Sequence, residues 1–597
     1  MCRIAGIINF NWSTEKNQQT VENMCHLLKH GGPDDGGIFT AENGALVLGN
    51  RRLALVDLSQ AGHQPMHYQN RFSITYNGEL YNYIELKNQL VQLGHQFSNH
   101  TDTEVILAAF AEWNVHAFEK FNGMYAFALY DHTNKLLYVV RDAIGIKPLY
   151  YSVKDEQFVF ASEVNALKNV DFNWTKNEQW PVFLMAYGHI PEPYTTIKEV
   201  STLHKGSFIK YDLKNRKHSI QSYDFFSFGK DLNDGANIKN LIRNQIENAV
   251  QSQLVADAPV GVFLSGGIDS SILALLSDHY KNEGIQSLSI YFNENEYSEK
   301  KYQDIVMSKL KGEKHQFLLT KDDFEKHLPD VFNSMDLPSC DGINTWFISK
   351  YAKELGLKAV LSGIGADELF GGYPSFQRMN LARKLSLMPN SMLQLFKKNT
   401  KKPFNRISYL SMDGIKGIYL FMRGHYNVHE IANYLEADER EIWNIINDYP
   451  MLGDVKQLPS QNQASWMEFN LYMQNQLLKD ADVMSMAHGV EIRVPFLDKN
   501  LIKSVLNIDA KDKYSVNLPK QLLIDSCKDI LPEQVWNRKK MGFGFPFSNW
   551  MKNNEYLEGL MQDSNKNTKQ YYYEFKNGNL HWSQMMSLMI MKTKNEA

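Results

Sequence analysis

The hydrophobic period changes once along this 597-residue chain, and that change constrains the fold more than any other feature. Up to residue 222 the apolar residues come in short runs, at 45–48, 72–76, 124–130, 136–140 and 158–161, many of them separated by Gly, Asn or Asp. Short apolar runs bounded by turn residues predict strands. Helical spacing also occurs at 104–113, so this half is mixed α and β. The polar stretch 228–237, with its two glycines, then reads as a linker. Beyond it Ile238, Leu241, Ile242, Ile246, Val250 and Leu254 predict one apolar stripe on a helix. A strand at 260–264, a helix at 270–280 and strands at 287–292 and 358–361 follow. Alternation of this kind predicts a parallel sheet covered by helices. After Asn380 the pattern is mostly helical, and the polar stretch 564–570 is expected to be loosely ordered. The length also exceeds what one core serves. Two domains are expected, 2–222 and 238–597.

Composition argues against several classes of function. The net charge is -4 and Lys and Arg are dispersed, so the chain lacks the basic footprint of a nucleic-acid binder. No run is long enough to span a bilayer, and none at the start reads as a signal peptide. The four cysteines, Cys2, Cys25, Cys340 and Cys527, are far apart and lack metal-ligand spacing. So few thiols fit a reducing compartment, and a cytoplasmic location is expected.

Cys2 follows the initiator Met. Removal of that Met would free an α-amine with a pKa near ~7.7–8.0, able to act as base for the Cys2 side chain. Taken alone, Cys2 is an ordinary cysteine, and Arg52 an ordinary exposed arginine. The surrounding residues change the reading. Asn77 and Gly78, just after the apolar run 72–76, could point donors at a tetrahedral oxyanion. Arg52 could hold a substrate carboxylate in a bidentate fork, and Glu79 and Asp102 could receive its α-ammonium.

The strings Met1-Cys2-Arg3-Ile4-Ala5-Gly6-Ile7, Arg52-Leu53, Gly62-His63-Gln64-Pro65-Met66, Tyr76-Asn77-Gly78-Glu79, Thr101-Asp102-Thr103-Glu104 and Arg141-Asp142-Ala143-Ile144-Gly145 resemble the class II, N-terminal nucleophile glutamine amidotransferases in order. The resemblance implies Cys2 as nucleophile and Asn77 and Gly78 as the oxyanion hole. It implies Arg52, Asn77, Glu79 and Asp102 as glutamine ligands, on an α/β/β/α sandwich. The family usually carries Arg where this chain has Gly31, which bears on the packing of that loop.

Leu264-Ser265-Gly266-Gly267-Ile268-Asp269-Ser270 lies between a predicted strand and helix, where glycines admit an anion and the helix N-terminus favours negative charge. It is not a Walker A loop, since Gly-Lys-Ser/Thr is missing. It resembles the pyrophosphate loop of enzymes that split ATP into AMP and pyrophosphate. A second loop, Ser362-Gly363-Ile364-Gly365-Ala366-Asp367-Glu368, again follows a strand, and Asp367 and Glu368 could offer oxygens to Mg²⁺. With the strings at 484–498 and 538–543, the two halves together resemble glutamine-dependent asparagine synthetase over nearly the full length. That resemblance implies ATP binding by Leu264, Ser265, Gly266, Gly267, Asp269, Ser270, Ile290, Ser362 and Gly363. It implies Mg²⁺ on Asp269 and Asp367, and Lys540 stabilising charge as pyrophosphate leaves. It also implies a parallel-sheet nucleotide domain with added helices, and a homodimer.

The match departs at Ile364, where the family typically has Glu, at Val483, where it often has Lys or Arg, and at 335–345. A carboxylate can orient ammonia or accept its proton; isoleucine can do neither. The first expectation is synthesis of asparagine from glutamine, aspartate and ATP, with ammonia passing between the halves. An alternative keeps the chemistry and amidates another carboxylate, such as a sugar acid or secondary-metabolite precursor. A third reading is a non-catalytic scaffold or a glutaminase alone.

Overall fold

Alternate side chains of the strand Arg3–Ile8 face opposite ways and so set the layers of the first half. In the computed structural model Ile4 and Ile8 enter a core between two sheets, while Ala5 and Ile7 pack beneath the helix Thr14–Leu27. The structure describes residues 2–224, 226–229, 235–399, 404–451, 453, 455–515, 518–542, 544–562 and 566–596. The first sheet has six strands in the order Ser201–Thr202, Tyr150–Lys154, Gln157–Ala161, Arg3–Ile8, Leu46–Arg52, Asp35–Ala41. The second runs Lys217–Ser222, Ser207–Asp212, Leu136–Arg141, Gly123–Asp131, Phe72–Leu80, Met66–Tyr68. Neighbours in both are antiparallel. Ala126, Ala128, Leu137 and Val139 of the second sheet complete the inner core. Ile74, Tyr76 and Phe127 turn outward under the helix Asp102–Trp113. The layers are helix, sheet, sheet, helix, as the resemblance implied.

The second half is built on a five-stranded parallel sheet: Lys314–Leu318, Gln286–Tyr291, Val260–Phe263, Ala359–Leu361, Glu491–Arg493. The helix Gly235–Gln253 buries Ile238, Ile242, Ile246 and Val250, the expected stripe. Two local expectations are corrected. Of the linker, residues 230–234 lie outside the described residues, and Gly235 already begins the helix. Its start is docked, since the Gly229 N–H donates to Leu506 O at 3.2 Å. Residues 566–570, expected to be loose, open the helix Lys566–Lys576, with residues 563–565 outside the described ones. Aromatic residues such as Tyr571, stacked edge-on against Tyr426 and Tyr434, tie this helix down.

The halves share buried structure. The helix Trp180–Tyr187 sits in the core of the second half, with Phe183 and Tyr187 against Tyr449. A stretch of π-helix, Glu468–Leu477, runs along the boundary, and Asn475 Oδ1 there accepts the Glu192 N–H at 2.7 Å. At the centre Arg3 is fully buried between Glu163 (Nε to Oε1, 2.8 Å) and Asp482 of the second half (2.8 Å). Gly31 belongs to this cluster: a Cβ there would lie 2.8 Å from Arg3 Cγ, so the missing side chain leaves room for Arg3.

Burial raises the Glu163 carboxyl, but the Arg3 guanidinium and His30 outweigh it and hold the group at about 2. A depressed carboxyl stabilises the fold above its unfolded pKa, and the gain is lost as pH falls toward the folded value. Removing one partner of a buried pair costs about 3–5 kcal/mol. Glu163→Gln is therefore expected to lower the thermal midpoint at pH 7. The gap to wild type should close as pH drops from about 4.3 toward the folded value. Thermal unfolding of both proteins across that range checks the sign; a gap that widens in acid would contradict it.

Candidate active site

Cys2 precedes the strand Arg3–Ile8 and is buried; Met1 lies outside the described residues. Burial raises the Cys2 thiol, while a bond from the Leu53 N–H and the charge of Arg52 pull it down and Glu79 pushes it up. Leu53 itself packs on Met486 of the second half. Asn77 lies on the strand Phe72–Leu80, fully buried, and neither polar atom of its side chain has a hydrogen-bond partner within the protein. Such groups are costly unless something fills the need, so the Asn77 amide is free to bond a ligand. Gly78 follows, where a Cβ would lie 2.2 Å from Met124 O, so no side chain fits.

Asp102 is oriented by the Tyr76 hydroxyl (2.8 Å) and the Leu80 N–H (2.9 Å) on Oδ2; burial pushes its carboxyl up against those bonds. Glu79 is also pushed well up, by burial and by Glu491. Arg52 is placed differently from the bare fork expected. Its guanidinium donates to the carbonyls of Ser59 (3.0 Å), Val56 (3.3 Å) and Asp57, pinning the loop beside Gly62.

At the C-terminal ends of the parallel strands lies a pocket of about 250 Å³. Leu264, Ser265, Asp269, Ser270, Ile290, Ser362, Gly363 and Asp367 all line it, with Ile364 and Glu368. Gly266 and Gly267 are not in its wall; they shape the turn into the helix Ile268–Tyr280, Gly266 at φ +86°. Ser265 Oγ and Ser270 Oγ are 2.9 Å apart, and the Gly267 N–H donates to Ser265 Oγ at 3.2 Å. A Cβ on Gly363 would lie 2.8 Å from Asp269 Cβ, so glycine lets the two loops meet.

The expected metal carboxylates converge, on a lysine. Lys520 Nζ lies 2.5 Å from Asp269 Oδ2 and also contacts Asp367 Oδ1, which Lys540 Nζ meets at 2.6 Å. Burial raises both carboxyls. For Asp367 the two ammonium groups prevail and hold it at about 2, whereas Asp269 stays raised. Glu368 turns away from this cluster: its carboxylate accepts the Gly365 N–H at 3.1 Å and the Tyr373 hydroxyl at 2.8 Å. Among the described residues no group of three or more His, Cys, Asp and Glu is placed to hold a metal. Two carboxylates fit Mg²⁺ in the form that arrives with phosphate oxygens, which needs only one or two protein ligands.

Sequence reasoning missed two residues here. Lys520 lies in no motif, and Arg493, though inside a quoted string, received no role. Arg493 links the two sites. Its side chain lies 3.6 Å from Glu79 and 2.7 Å from Glu491, and its carbonyl accepts the Ser362 N–H at 2.8 Å. Among the described residues no helix is long and apolar enough to cross a membrane.

Residues 241–580 match the family model described as asparagine synthase, and residues 1–224 that of a glutamine amidotransferase domain. The chain is 30% identical over 585 residues to glutamine-hydrolyzing asparagine synthetase 1 of Bacillus subtilis strain 168, covering 94% of this chain and 90% of that one. It is 30% identical over 576 residues to asparagine synthetase 3 of the same organism, covering 90% and 86%. Amidase chry2 of Gibberella zeae is 24% identical over 611 residues, covering 92% and 90%. Because the first family model alone spans more than half of the residues, the chain belongs to the asparagine synthase family, as a ligase with an amino-terminal glutamine amidotransferase domain.

Proposed function

We propose that the chain makes asparagine from glutamine, aspartate and ATP, releasing glutamate, AMP and pyrophosphate. Residues 2–222 would form the glutaminase and 238–597 the synthetase. The observation that carries the reading is the pairing, in one molecule, of a buried cysteine within reach of the Glu79 charge, two residues from an unpartnered Asn77, with a buried lysine–carboxylate cluster at a pocket of about 250 Å³.

In the first site Cys2 Sγ attacks the glutamine carboxamide, with the α-amine of a processed chain taking the thiol proton. The Asn77 amide and Gly78 N–H receive the oxyanion. Ammonia leaves, and water cleaves the thioester to glutamate. Arg52, Glu79 and Asp102 hold the α-carboxylate and α-ammonium; Arg52 keeps its backbone bonds and offers its remaining donors. In the second site the loop around Ser265 and Ser270, with Leu264, Gly266, Gly267, Ile290, Ser362 and Gly363, cradles ATP. Asp269 and Asp367 would hold Mg²⁺, which when bound neutralises phosphate charge. Lys520 and Lys540 stabilise the charge that develops as the aspartate side-chain carboxylate displaces pyrophosphate. The low cysteine count supports a cytoplasmic location.

Supplying glutamine, ATP-Mg²⁺ and aspartate, and following asparagine with AMP, tests the reading; equal amounts of both are expected. Glutamate release without either product would sink it for aspartate. A second reading, the same chemistry on another carboxylate, is favoured by Ile364, which puts an apolar side chain in the pocket wall. Efficient use of aspartate would remove that alternative.

A further inference from the structure

Two cavities meet at Asp480. The nucleotide pocket is one. The other, of about 20 Å³, lies between the halves, with Tyr150 and His189 from the first and Met335, Leu337 and Val483 from the second in its wall. Asp480 is the one described residue in the wall of both. It is carried on the helix Leu478–Met486, directly after the π-helical stretch at the boundary. The Ser339 hydroxyl donates to its Oδ2 at 2.7 Å and fixes the side chain. Gly342 lets the 339–342 loop close on it, since a Cβ there would lie 3.0 Å from Asp480 Cβ. Ile364, in the same pocket, has no group that can take a proton.

We propose that Asp480 is the carboxylate that meets ammonia arriving from the cavity between the halves and takes its surplus proton as the amide forms. This rests on the reading that an acyl adenylate waits in the nucleotide pocket. The nitrogen lone pair attacks the acyl carbon and a C–N bond forms. The nitrogen then carries one proton too many, which passes to the Asp480 carboxylate. The C–O bond to AMP breaks, AMP leaves with the electron pair, and Asp480 later returns the proton to water. Burial, and after it the neighbouring Asp341, push the Asp480 carboxyl well up, with Lys479 and the Ser339 bond opposing. A carboxylate so raised is a stronger base than an ordinary aspartate.

The full-length Asp480→Asn variant tests this with aspartate and ATP-Mg²⁺ as probes. Aspartate-dependent exchange of labelled pyrophosphate into ATP reads adenylation alone and is expected to stay near wild type, with KM for aspartate unchanged. The kcat for amide formation from ammonium chloride should fall about 10²-fold. Hydroxamate formation from hydroxylamine, a weaker base that sheds its proton more readily, should fall less. Asp480→Glu, or Ile364→Glu added to Asp480→Asn, should restore part of the rate by offering the incoming ammonia a carboxylate that is tied neither to the lysines nor to Tyr373. Unchanged amide kcat would overturn the proposal. So would a raised aspartate KM at intact kcat, which means substrate binding, or loss of exchange along with synthesis, which means a structural part. Wild-type protein that exchanges no pyrophosphate with aspartate would instead bring down the reading beneath it, and this inference with it.

Discussion

Replacement of Cys2 by alanine is expected to abolish glutamine-dependent amide formation and to leave ammonia-dependent formation close to wild type. The covalent route depends on one sulfur, and removing a nucleophile of this kind costs at least about 10³-fold. Alanine fits the space, because the thiol is buried and its bond is to the Leu53 backbone. The pocket proposed for the nucleotide lies at the parallel sheet, and its wall is drawn from residues 263–492 alone. Asparagine synthesis measured in parallel with glutamine and with ammonium chloride separates the two. Loss of both activities would mean that the halves do not house independent steps.

The converse is expected of Asp269→Ala. Glutaminase activity should persist, while AMP formation falls by about 10²-fold or more, the scale on which preorganised charge acts in phosphoryl chemistry. The reason is electrostatic. Lys520 is held fully buried and charged by Asp269 and Asp367 together, which raise its pKa against the desolvation that lowers it. In the alanine variant the ammonium keeps one partner, Asp367, the Cβ beside Gly363 stays in place, and the proposed Mg²⁺ site would lose one of its two carboxylates. Glutamate and AMP release followed in one sample decide the matter. Persistent AMP release would show that the Ser265–Ser270 loop does not serve the nucleotide.

Much of the fold was legible because its signals are local. The strands at 46–52, 72–80, 123–131 and 136–141 coincide with apolar runs between turn residues, whose period follows from the pleat alone. The stripe on Gly235–Gln253 follows from helical geometry in the same way. Failures came where packing overrides composition. Polar residues 566–570 read as loose, yet the aromatic face that follows them docks on Tyr426 and Tyr434. Gly31 read as a lost arginine; in the structure it is the space that Arg3 needs.

The residues that most invite mutation are a different case. Asp269 and Asp367 were legible, each sitting in a glycine-rich turn after a strand. Lys520 was not, because it reaches them from 251 positions away from Asp269 with no motif of its own. Arg493 and Asp480 were silent for the same reason: what they touch belongs to other elements.

By itself the sequence determined the change from strand-rich to alternating strand and helix, the order of those strands along the chain and the two glycine-rich loops, because each rests on neighbours within a few residues; the sandwich and Cys2 as expected nucleophile came from the family resemblance. Only the tertiary structure decided which charges neutralise which, and that Asp480 stands between two cavities. Those facts depend on distances between distant segments, set by how one half packs on the other.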